Sequence, residues 1–181
     1  MPRAPGHPLN YSSTPSMASP VLSYSPSTTR AQIQMCNELK IVCHGGLHDH
    51  FDYYGWIIAT DTHILAKHND LAPGNHVEMD SQRAILAALH TSLFWLRSTL
   101  NNALLAATTT LHIHVTNNTI YKTLSYMLQQ SSRHPNQMLQ PHMELYLTIL
   151  HDLERLSTNT CLNRVAPLRK KYNLPPRPSW H

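Results

Sequence analysis

Histidine is the residue type in this chain best able to do chemistry. Fourteen occur among 181 residues, but only His44/His48/His50 and His112/His114 fall close together. His112 and His114 stand two apart, which on a strand puts both rings on one face. His44 belongs to a strand expected beside them. Three converging imidazoles are a donor set for zinc or copper. A closed site also needs a fourth ligand and partners that orient the rings. The three are therefore read as polar-face residues and no metal is assigned. A second concentration is basic: Arg169-Lys170-Lys171-Tyr172, with Arg177 and Trp180. Such a set can grip phosphate and stack on a base, although a short basic terminus is more often simply solvated. Pro175-Pro-Arg-Pro178 has the pattern of a polyproline ligand. Ser and His are plentiful, but no Gly-x-Ser-x-Gly arrangement supports a triad enzyme. Cys36, Cys43 and Cys161 show no CxxC spacing, which argues against both a disulfide framework and a zinc-binding cysteine cluster.

The elements that must position these groups can be read from periodicity. Residues 1–31 carry Pro2, Pro5, Pro8, Pro15, Pro20 and Pro26 among Ser and Thr, with no apolar period. The expectation is a disordered arm, with order beginning near Ala31. Leu39, Ile41 and Cys43 alternate with Lys40, Val42 and His44, as in a half-buried strand, and Gly45-Gly46 is expected to end it. A second strand is expected over residues 51–60 and a third over 64–68, forming an antiparallel meander. Asp80 or Ser81 can cap a helix over residues 82–100 that is apolar around most of its circumference. Leu111, Ile113 and Val115 give a fourth strand. Asn117-Asn118 opens a helix carrying Ile120, Leu124 and Met127. Another helix spans 141–156, and a fifth strand covers 160–165. Residues 167–181 form a basic, Pro-rich tail.

The totals bound the function. The length fits one domain, residues 32–166, with flanking tails, and the domain is large enough to bury a core. The net charge of +4 permits nucleic acid as a partner without demanding it. No apolar run reaches the roughly 18 residues that span a membrane. An intracellular protein, cytoplasmic or nuclear, is expected from the cysteine usage.

Ile41-Val-Cys-His-Gly-Gly-Leu47, followed by Tyr54-Gly-Trp-Ile-Ile58, resembles the opening of a ribonuclease H-like domain. That family begins with an apolar strand ending in Asp-Gly-Ser or Asp-Gly-Gly, and a second strand carries Gly-Trp-(Val/Ile). Ala72-Pro-Gly74 is similar to a loop of retroelement members. Ser81-Gln-Arg-Ala84 is similar to their Ser-x-Arg-Ala-Glu helix start, and His114-Val-Thr-Asn-Asn118 to their fourth strand. The likeness covers about residues 38–165 and is greatest to the domain attached to retrotransposon reverse transcriptases. It implies an α/β fold with a mixed five-stranded sheet, three antiparallel strands first, and about three helices.

The family cleaves the RNA strand of RNA–DNA hybrids with two Mg2+ ions, held by carboxylates from the first strand, the first helix and the end of the fourth strand. Carried over by motif, those positions are His44, Ile85 and Asn117, and none is a carboxylate. Asp80 lies five residues before Ile85, nearly one and a half turns away, and cannot take its place. A fourth family carboxylate, usually on a final helix, has no counterpart. The resemblance thus implies an inactive domain without cofactor, binding an RNA–DNA hybrid, another nucleic acid or a protein. Arg169, Lys170 and Lys171 are the candidate nucleic-acid contacts. A ribonuclease of altered ligands using His44 is the alternative, and a decaying reading frame without selected function is a third.

Overall fold

Alternating burial builds the sheet. The computed structural model describes residues 21–22, 26–48, 51–71, 80–130 and 141–165. In order these form β1 (Val21–Leu22), α1 (Pro26–Met35), β2 (Glu38–His48), β3 (Phe51–Ala59) and β4 (Ile64–Leu71). There follow α2 (Ser81–Thr99), β5 (Thr110–Val115), α3 (Asn118–Gln129), α4 (Met143–Leu156) and β6 (Thr160–Arg164). The strands lie side by side in the order β1-β4-β3-β2-β5-β6. β2, β3 and β4 form the expected antiparallel meander. β5 and β6 add in parallel, beyond the crossovers through α2 and through α3 and α4.

Leu39, Ile41 and Cys43 of β2, Tyr54, Trp56 and Ile58 of β3, and Leu111, Ile113 and Val115 of β5 are buried. Most of their alternate neighbours remain half-buried on the other face of the sheet. α2 lies on the buried side against β2 and β3, and packs in turn against α4. It begins at Asp80, whose carboxylate accepts from the Arg83 amide at 2.7 Å and satisfies one of the donors that a helix start leaves free. Arg97 of α2 pairs with the buried Asp152 of α4, and Asp152 also faces His90 at 3.4 Å.

Two expectations need correction. The arm expected to be disordered through residue 31 yields its last part to α1, with Thr29 and Ile33 fully buried. Pro26 is the last proline of that arm, and it stands at the first helical position. There a missing N–H costs nothing and the fixed φ suits the helix. The described residues thus hold four helices, and a two-residue strand joins the five expected ones at the sheet edge. Gly45-Gly46, expected to end the first strand, instead continues β2 to His48, with Gly45 opposite Tyr54 and Gly46 opposite Tyr53.

Ile33→Ala should destabilise the protein by about 3 kcal/mol, the usual cost of emptying a fully buried aliphatic site. Urea denaturation measures this, and a loss below about 1 kcal/mol would mean that α1 is not docked on the core.

Candidate functional site

The parallel register of β2 and β5 sets Cys43 opposite Val115. His44 and Asn117 therefore follow at the same end of two adjacent strands. The start of α2 closes in from the buried side. A Cβ on Gly45 would lie 2.8 Å from both the Ala84 Cβ and the Ile85 nitrogen, so only glycine lets the helix come this near. The structure thus brings the backbones of His44, Ile85 and Asn117 to one end of the sheet, but their side chains go separate ways.

His44 turns to the face away from α2. Its ring leans over Gly55, where a Cβ would sit 2.4 Å from Nε2, and it hydrogen-bonds Asn69 of β4. Burial pushes its pKa below the ordinary value, against the Asn69 bond, which favours the charged ring. Ile85 is 3% exposed and belongs to the core. Asn117 caps α3, its Oδ1 accepting from the amides of Thr119 (2.8 Å) and Ile120 (3.1 Å). Mg2+ wants several hard oxygen donors in octahedral geometry. An imidazole below its ordinary pKa, an aliphatic side chain and a carbonyl already engaged by two amides do not fit it. Among the described residues no three His, Cys, Asp or Glu side chains stand close enough together to hold a metal ion.

A network that the sequence reading passed over lies at the start of α2. Asp52 lies within β3, in the strand expected over 51–60, opposite Leu47 and in phase with the buried Tyr54, Trp56 and Ile58. It is fully buried, and among the described residues no side chain hydrogen-bonds its carboxylate. Burial pushes its carboxyl above the ordinary range and the Asp80 charge adds to this, while the Asp80 amide, Arg83 and His142 act the other way. Asp80 itself is held below the ordinary range. Burial opposes this, but the Arg83 amide and the bond and charge of His142 outweigh it. His142 Nε2 lies 2.7 Å from Asp80 Oδ2, and its backbone is left-handed (φ 61°) just ahead of α4. Arg83 reaches Glu144 at 3.4 Å. These contacts join the first turns of α2 and α4. The sequence signal for Asp52 was its two-residue phase with Tyr54 and Trp56.

The histidines also separate. His112 and His114 lie side by side on β5, with ring centroids 6.4 Å apart and planes 26° apart. His44 leans the opposite way, towards β4. Burial, together with the charges of His112 and Lys40, holds His114 below the ordinary histidine pKa. Cys43, buried against Ser92, is pushed up to about 12 by burial and stays a thiol. Arg169, Lys170 and Lys171 lie outside the described residues.

No protein-family model matches the chain, and no curated protein sequence matches it. Solved structures do. Ribonuclease H1 from the archaeon Halobacterium salinarum superposes with a TM-score of 0.51 at 12% identity, covering 74% of this chain and 89% of that one. LC11 ribonuclease H1, solved in complex with an RNA/DNA hybrid, gives 0.55 at 15% identity over 74% and 87%. The N-terminal ribonuclease H domain of a Mycobacterium tuberculosis protein gives 0.52 at 16% over 75% and 86%. Together with the strand order, these establish a ribonuclease H-like α/β fold. The mixed sheet has three antiparallel strands first, as the resemblance implied.

The state of Asp52 has a measurable pH signature. A carboxyl raised in the folded state contributes fully below its unfolded pKa of about 4 and loses that contribution as pH rises through the higher folded value. Asp52→Asn, neutral throughout, should therefore be more stable than the parent at pH 7, by on the order of 1 kcal/mol, with the gain shrinking towards pH 4. Urea denaturation at both pH values tests this; a less stable variant at pH 7 would show that the charge is compensated.

Proposed function

We propose that this protein is a catalytically inactive ribonuclease H-like domain of retroelement origin that acts as a nucleic-acid-binding module. One observation carries the proposal. His44, Ile85 and Asn117, the residues that the sequence resemblance matches to the family's metal ligands, lie at the end of the sheet where β2, β5 and α2 meet, and each is committed to other contacts. A two-metal hydrolase must offset two dications held about 4 Å apart, and this end of the sheet supplies no carboxylate at those positions. Retroelement origin is supported by the sequence likenesses at Ala72-Pro-Gly74, Ser81-Gln-Arg-Ala84 and His114-Val-Thr-Asn-Asn118. Nucleic-acid binding is supported by the fold, by the net charge of +4, and by the hybrid bound in the structure of LC11 ribonuclease H1.

The alternative, hybrid cleavage with His44 as a ligand, would have to break the His44–Asn69 hydrogen bond and recruit ligands from elsewhere. No specific observation favours it.

Incubated with a labelled RNA–DNA hybrid and Mg2+, Mn2+ or Zn2+, the full chain should leave the RNA strand intact. Cleavage that His44→Ala abolishes would overturn the proposal. Conversely, a variant combining His44→Asp, Ile85→Glu and Asn117→Asp should bind Mg2+ at millimolar concentration by isothermal titration calorimetry. If circular dichroism finds that variant folded yet it ignores the ion, the assignment of the three positions is wrong.

A further inference from the structure

We draw no further inference here: the strongest candidate, the cavity of about 470 Å³ between α1 and the β3–β4 turn, carries nothing because its two carboxylates, Glu38 and Asp61, are already paired with Lys40 and nothing in the structure shows what would fill it.

Discussion

The approach of α2 to β2 is the contact on which the rest of this structure depends. Residue 45 has no side chain, and the backbone at Ala84 and Ile85 fills the space one would take. That approach sets the height of α2 above the sheet. The height in turn lets Tyr54 and Trp56 pack beneath the helix, with Trp95 5.9 Å from Trp56 between ring centroids. It also places the start of α2 where Asp80 can meet His142 and so hold the beginning of α4. A larger residue at position 45 would force a shift along the whole helix, because the obstacle is backbone and cannot rotate away.

The same approach gathers the backbones of His44, Ile85 and Asn117 at one end of the sheet, and the chemistry of those residues explains why the gathering is stable. Three carboxylates drawn together without cations would repel and suffer desolvation. Here one position adds to the apolar core, one closes a helix start, and one hydrogen-bonds across two strands. Each gives local stability where a metal site would demand compensation. Gly55 belongs to this arrangement, since the His44 ring and Asn69 occupy the space above it. Electrostatic tension has not left the domain; it persists at Asp52, where burial and the Asp80 charge both disfavour the carboxylate.

The two faces of the sheet differ in composition. One is a dry layer under α2, built of Leu, Ile, Val and large aromatics. The other mixes rings, amides and charged groups, half-buried or exposed, with the apolar Val42 and Ile57.

Sequence alone determined the three strands of the meander, the helix expected over 82–100 and found at 81–99, the two strands that follow, and that His44, Ile85 and Asn117 are not carboxylates. These rest on local periodicity and on residue identity, which do not depend on neighbours distant in the chain. Two local readings failed for physical reasons. Pro26 looked like one more breaker in a Pro-rich arm, yet at a first helical position proline is favourable. Gly45-Gly46 looked like a strand end, whereas glycine there serves a close helix approach. Only tertiary structure decided which way His44 faces, that Asp52 is buried opposite Leu47, and that His142 reaches Asp80 across 62 positions of chain. Those facts arise from strand register and helix packing, and both are settled by the fit of surfaces remote in sequence.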